Sequence, residues 1–210
     1  MQTLGYYVTH PDAIIYVTAT ALLYPVLILE VILLAYALFE AGRFTAEMIG
    51  RARKRTLPAM RHAAEKAHEA LQKGDGAATL AHLQVGLGHG RYTRRFAAAL
   101  TEDDLSRTHL LKLLNDTEID ASRRLERTRM LVRFGPILGL MGTLIPISPA
   151  LVALAQGDVQ TLSDNLVVAF STTVVGLLIG GLGYLVSTVR DRVYTQDMSD
   201  IEYALEILEA

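Results

Sequence analysis

The sequence predicts an all-α membrane protein with three transmembrane helices and long cytoplasmic helical extensions. One reason is composition, because 51% of its 210 residues are hydrophobic and they gather in long apolar runs. The other is charge: of the 20 Lys and Arg residues, 18 lie between Arg43 and Arg133, and the others are Arg190 and Arg192. Soluble surfaces carry basic residues everywhere, whereas membrane proteins concentrate them in cytoplasmic flanks. The charge map therefore predicts both the spans and their orientation.

The first predicted span covers residues 13–39, after an extracytoplasmic N-terminus at 1–12. At about 1.5 Å per residue, this run is longer than a hydrocarbon core of about 30 Å, so the helix must tilt or bend. Pro25 is the expected position of a bend, because proline removes a helical hydrogen bond.

The second and third spans are predicted at 134–155 and 166–189, joined by an acidic extracytoplasmic turn at 156–165. Neither span contains a basic residue. Basic residues flank each span at the end that is farther from the turn. The chain should therefore cross the inner (cytoplasmic) membrane of a cell three times. Its N-terminus should lie outside and its C-terminus in the cytoplasm.

The polar segment 40–133 is predicted to be cytoplasmic and helical. Residues 46–73 favour one helix, and 77–100 favour another that is weakened by the sequence GLGHG at 86–90. Without a structure, GLGHG is best interpreted as a helix break, because it lacks the GK[ST] ending of a phosphate-binding loop.

Two long helices are predicted to extend the later spans into the cytoplasm. No Gly or Pro interrupts residues 104–133, so a helix from about residue 104 should continue into the second span. The C-terminal helix at 190–210 should continue the third. It carries an apolar stripe for packing, formed by Val193, Ile201, Ala204, Leu205 and Leu208.

The second and third spans carry small and hydroxylated residues at helical spacing. The small residues that form a helix-packing or pore face are Gly139, Gly142, Pro146, Gly176 and Gly180. Close helix packing would account for the glycines alone. Threonines on the same spans favour an ion pathway, because hydroxyls can relay a proton or ligate a cation. Neither span contains Asp, Glu, His or Lys, so a protonatable carrier must come from the first span or from another chain.

Two motifs in these spans resemble a known family. GPILGLMGTL at 135–144 and STTVVGLLIGG at 171–181 look like the paired motifs of the MotA/TolQ/ExbB proton-channel family. The three predicted spans and the basic cytoplasmic segment are similar to its three-span ExbB/TolQ branch. The resemblance implies that Thr143 and Thr173, with Thr172 as the alternative, line the ion pathway. GGLGYL after the second motif and the two prolines in LIPISPAL after the first depart from the family pattern.

The resemblance also implies partners. Five copies would surround the membrane helices of a one-span ExbD/TolR-like protein, whose Asp would carry the ion. The chain would then be a subunit of an energy-transducing motor that couples the ion-motive force to mechanical work. The threonines do not identify the ion, because hydroxyl groups can serve either H⁺ or Na⁺.

Glu30 is the ionisable residue well inside the first span. Burial of a carboxyl group in a membrane is costly, so such residues are usually functional or hydrogen-bonded within the helix bundle. Both a structural acid and an ion-pathway acid fit the sequence.

Other functional classes find little support. The chain has no Cys, and its six His show no ligand spacing, so no metal site and no cofactor are expected. No Ser-His-Asp set, acidic dyad or phosphate-binding motif occurs in a plausible context, so we expect no enzyme. The basic run at 51–55 favours lipid headgroups or topology over nucleic acid. The remaining alternatives are a stand-alone small proton-coupled transporter using Glu30, and a non-conducting membrane scaffold.

Overall fold

A computed structural model describes residues 11–52, 57–101 and 106–209. Its helices are α1 (Pro11–Ala21), α2 (Leu23–Ala52), α3 (Leu57–Gln72), α4 (Gly76–Gly86), α5 (Arg91–Ala99), α6 (Arg107–Ala155) and α7 (Val159–Glu209). No strand occurs within these ranges, so the all-α prediction is confirmed. Three stretches are long and apolar enough to cross a membrane, as predicted: Ile14–Arg51, Arg107–Ala155 and Val159–Leu208.

The first span differs from its predicted form at one point. The helix is interrupted at Leu22 rather than at Pro25, and α2 then continues to Ala52. Proline has no N–H, so Pro25 cannot supply the helical hydrogen bond to the carbonyl of Ala21 one turn earlier. The interruption at Leu22 therefore follows directly after Ala21, whose carbonyl lacks this bond.

The turn between the second and third spans is shorter than the ten residues predicted. Only Gln156–Asp158 lie outside the helices, and 159–165 form the first turns of α7. Gly157 takes a left-handed conformation with φ of 74°, which glycine adopts at low cost. Asp158 then caps α7, because its carboxylate accepts the Thr161 backbone N–H at 3.0 Å. Polarity predicted a turn here, but the cap starts the helix early.

The described part of the polar segment is helical, as predicted, but residues 46–52 of the helix predicted at 46–73 belong to α2. α3 ends at Gln72, and α4 and α5 are separated at residues 87–90, where GLGHG predicted a break. The predicted start of the long helix near residue 104 lies outside the described residues, which resume at 106. From Arg107 this helix continues through the second span, and α7 continues past the third, as predicted.

Contacts between residues divide the chain into two compact units, here called the membrane unit (residues 11–41 and 128–185) and the polar unit (the described residues of 42–127 and 186–209). The polar unit has an apolar core that includes four residues of the predicted α7 stripe: Ile201, Ala204, Leu205 and Leu208. Val193, the fifth, packs in a smaller cluster with Tyr92 and Tyr194.

The membrane unit exposes large apolar side chains. Tyr24, Val31, Leu144, Phe170 and Val174 are 60–74% exposed. Water would penalise so large an apolar surface, whereas lipid tails or other protein chains would not. Its small interior contains Val26, Leu138 and Ile145 in one cluster and Ala37, Leu131 and Ile179 in another. Each cluster joins α2 to the hairpin of α6 and α7.

Candidate ion pathway

The hairpin of α6 and α7 is built on glycines that bring the two backbones into contact. A Cβ atom added at Gly135 would lie 2.7 Å from the carbonyl oxygen of Gly176, and one added at Gly139 would lie 3.1 Å from the Cα of Gly176. No larger residue fits at such a crossing, because the facing atoms belong to the main chain. These positions fix how closely the helices pack.

Further contacts set the register of the hairpin. Gly142 faces Thr172, Gly180 faces Pro136, and Gly183 faces Leu131. As α6 advances from residue 131 to 142, its partner on α7 therefore moves back from 183 to 172. Thr143 follows Gly142 directly, so it lies at the same level of the hairpin as Thr172 and Thr173.

All three candidate threonines donate their hydroxyl proton to their own helix. Thr143 Oγ1 donates to the Leu140 carbonyl at 2.7 Å. Thr172 and Thr173 both donate to the Ala169 carbonyl, at 2.9 and 3.1 Å. A hydroxyl has one proton but two acceptor lone pairs. These oxygens can therefore accept a hydrogen bond or ligate a cation, and in this arrangement they have no proton to give.

The three threonines differ in accessibility. Thr172 is only 5% exposed, and its side chain packs against Gly142 in the helix seam. Thr143 and Thr173 are half-buried, so both are less enclosed by the chain than Thr172 is. The geometry distinguishes Thr143 and Thr173 from their alternative, and their role in ion passage stays a prediction.

The prolines of the second span do not interrupt α6. The helix is continuous through Pro136, Pro146 and Pro149, which membrane helices tolerate when neighbouring groups compensate for the freed carbonyls. Pro146 is fully buried. Pro136 was not among the candidate residues, yet a Cβ added at Gly180 would lie 3.0 Å from its ring. The GP pair at 135–136 was the available signal.

Glu30 lies against the same glycine crossing. Its side chain is 3% exposed, and its carboxyl group lies beside the backbone of Gly176. Its Oε1 atom is buried and has no hydrogen-bond partner among the described residues. The structure therefore brings the acid of the first span to the hairpin that carries the threonines.

The GLGHG segment of the polar unit has a role that the sequence did not reveal. His89 Nε2 lies 2.8 Å from the carboxylate of Asp200. Asp197, fully buried on α7, accepts the backbone N–H of Tyr92 at 3.2 Å and pairs with Arg51 at 2.5 Å. The break between α4 and α5 is thus an anchor for α7. Among the described residues, no group of three or more His, Cys, Asp or Glu could hold a metal ion.

A model of the MotA/TolQ/ExbB proton channel family matches residues 89–202, which is more than half of the chain. The chain belongs to this family. The matched region of this MotA/TolQ/ExbB protein contains α6, the part of α7 up to residue 202, and the candidate threonines, whereas Glu30 lies outside it. No curated protein and no solved structure gives a significant match. Family and fold together identify a multi-pass membrane protein of a proton-channel family.

Proposed function

We propose that this chain is the channel subunit of an inner-membrane motor, of the three-span ExbB/TolQ-like branch, and that it passes protons. One observation carries the proposal. Thr143 and Thr173 hold acceptor-only oxygens at one level of a hairpin that has no charged side chain within its predicted spans. Such a surface can bind a protonated acid or a bare cation but cannot store the charge itself.

The missing charge carrier points to a partner. A one-span ExbD/TolR-like protein with an Asp in its membrane helix would supply it. When protonated, the O–H of that Asp can donate to a threonine oxygen; after losing its proton, the carboxylate meets no Lys or Arg in the hairpin spans that would trap it. Five copies of this chain around the partner would form the pore. Movement of the partner relative to this ring would deliver mechanical work.

The same proposal includes the orientation. The N-terminus and the residues around Gly157 would face outside, and the polar unit with its many arginines would face the cytoplasm. Protons would then flow inward, driven by both the pH gradient and the membrane potential.

Removal of the threonine oxygens tests the pathway. Thr143→Val and Thr173→Val keep the side-chain shape and delete the oxygen, so we expect at least a tenfold loss of proton flux while the oligomer still assembles. Thr143→Ser and Thr173→Ser should restore the flux. The measurement is dye-reported proton uptake into liposomes that hold the chain together with the one-span protein that co-purifies with it from its native host.

Thr20→Val is the matched control, because Thr20 Oγ1 also donates to its own helix, at 2.8 Å to Tyr16, but lies outside the hairpin. Flux that survives both hairpin substitutions would refute the pathway. Equal flux without the one-span protein would instead favour a stand-alone transporter, and no flux under any ion gradient would favour a scaffold. Flux that requires Na⁺ would overturn the choice of ion.

A further inference from the structure

Glu30 lies on the stripe of α2 that faces the hairpin. The stripe continues on both sides of it, with Val26 one turn before and Ala37 two turns after, and both are buried. Val26 packs with Leu138 of α6, and Ala37 packs with Ile179 of α7. A carboxyl group in this stripe is therefore enclosed by helices of its own chain rather than directed into lipid.

The carboxyl group reaches a backbone that only glycine exposes. It lies beside the backbone of Gly176, the residue whose own Cβ would lie 2.6 Å from the Gly135 carbonyl. Gly176 is one helical turn from Thr172, about 6 Å along α7 at ~1.5 Å per residue. Glu30 thus lies about one turn from the level of the threonines.

Nothing nearby neutralises Glu30 as a counter-ion. The other ionisable side chains described in the membrane unit are Tyr16, Tyr24, Tyr36, Glu40, Arg129, Arg133, Asp158, Asp164 and Tyr184. None of them forms an ion pair with Glu30, whose carboxyl group is buried on a face of α2 that packs through apolar side chains. An unpaired carboxylate is expensive in such surroundings, so the neutral acid is the form that fits.

The unpartnered oxygen of Glu30 is a further observation that fits a proton-binding acid. Structural buried acids have their polar atoms hydrogen-bonded, because an unmade bond costs stability. Buried Oε1 of Glu30 has no hydrogen-bond partner among the described residues. A neutral, protonated carboxyl group is buried at lower cost than a carboxylate, so this environment favours proton binding.

We propose that Glu30 is a proton-binding site within this chain, one turn from the threonines and separate from the carrier that the partner supplies. Its contribution to conduction rests on the proposed function. Its ability to bind a proton does not, because α2, α6 and α7 of a single chain build the site.

Carbodiimide labelling tests proton binding without the partner. Dicyclohexylcarbodiimide dissolves in the bilayer and reacts with a protonated carboxyl group. The acid proton moves to a carbodiimide nitrogen as the carboxyl oxygen bonds to the central carbon, and the adduct rearranges to a stable N-acylurea. With the full chain in liposomes, mass spectrometry should find the label on Glu30, and labelling should fall at least tenfold as pH is raised through its titration. Glu30→Gln should abolish the label at this position.

Glu40→Gln is the control, because Glu40 is also a buried acid of α2; it should leave labelling of Glu30 unchanged. Failure to label Glu30 at any pH, or labelling that does not vary with pH, would overturn the proposal. Protection by Na⁺ at fixed pH would also overturn it, because the site would then bind Na⁺.

A second measurement separates this proposal from the proposed function. In liposomes with the one-span protein, Glu30→Gln should lower proton flux at least fivefold, and Glu30→Asp should recover part of it. Labelling with unchanged flux would remove Glu30 from the pathway without affecting the threonine assignment. Loss of flux in the threonine variants with normal labelling would support both.

Discussion

Gly176→Ala should destabilise the protein strongly, although alanine is the better helix former. The added Cβ would lie 2.6 Å from the carbonyl oxygen of Gly135 and 2.7 Å from the Cα of Gly139. Both are main-chain atoms of α6, so no side chain can rotate away and the helices must separate. Overpacking of this kind costs up to about 3 kcal/mol when the facing atoms cannot move, and the gain of about 1 kcal/mol in helix propensity offsets only part of that cost.

Gly181→Ala is the matched control for this substitution. Gly181 lies on the same helix, five residues on, and a Cβ added there would meet nothing within 4 Å. The measurement is the temperature at which half of the detergent-solubilised protein is lost from its size-exclusion peak. We expect a clear drop for Gly176→Ala and no drop for Gly181→Ala. Equal temperatures for the two variants would show that the close crossing is not needed for the fold.

The membrane part of the fold could be predicted from the sequence because its signals are local. Runs of apolar residues and the distribution of Lys and Arg determine which segments can enter lipid, and neither depends on tertiary contacts. Helical spacing also made it possible to propose packing and pathway residues, because it places Gly139 and Thr143 on one face of the second span. It likewise places Thr173 and Gly176 on one face of the third. The sequence could not distinguish Thr172 from Thr173, because burial of Thr172 depends on Gly142 of another helix.

The environment of Glu30 was also beyond sequence reasoning. Its position inside an apolar run was evident, but its contact with Gly176 joins residues 146 positions apart in the chain. Likewise, GLGHG was interpreted as a helix break, which it is, while the contacts of its Gly90 with Asp197 and of its His89 with Asp200 depend on how α7 packs. Local composition does not show which distant segments pack together. The roles of Glu30 and of GLGHG both depend on such packing.

Asp197→Ala should unfold the polar unit at much lower temperature than any exposed substitution. Asp197 is fully buried and pairs with Arg51, whose side chain is 11% exposed. Removal of the acid leaves the guanidinium buried without its counter-charge and leaves the Tyr92 N–H without its acceptor. Loss of one member of such a pair costs about 3–5 kcal/mol.

Two further variants show whether the unpaired Arg51 charge causes the loss of stability in Asp197→Ala. Arg51→Met in the Asp197→Ala background removes the unpaired cation, so it should recover part of the lost stability; no recovery would mean that the Tyr92 acceptor or packing dominates. Glu65→Ala is the control, because its pair with Arg61 is exposed by 48% and 69% and should contribute nothing measurable. The midpoint of thermal unfolding, followed by circular dichroism, compares the variants. If Asp197→Ala and Glu65→Ala unfold at the same temperature, the Arg51–Asp197 pair does not stabilise the packing of α7 against the end of α2.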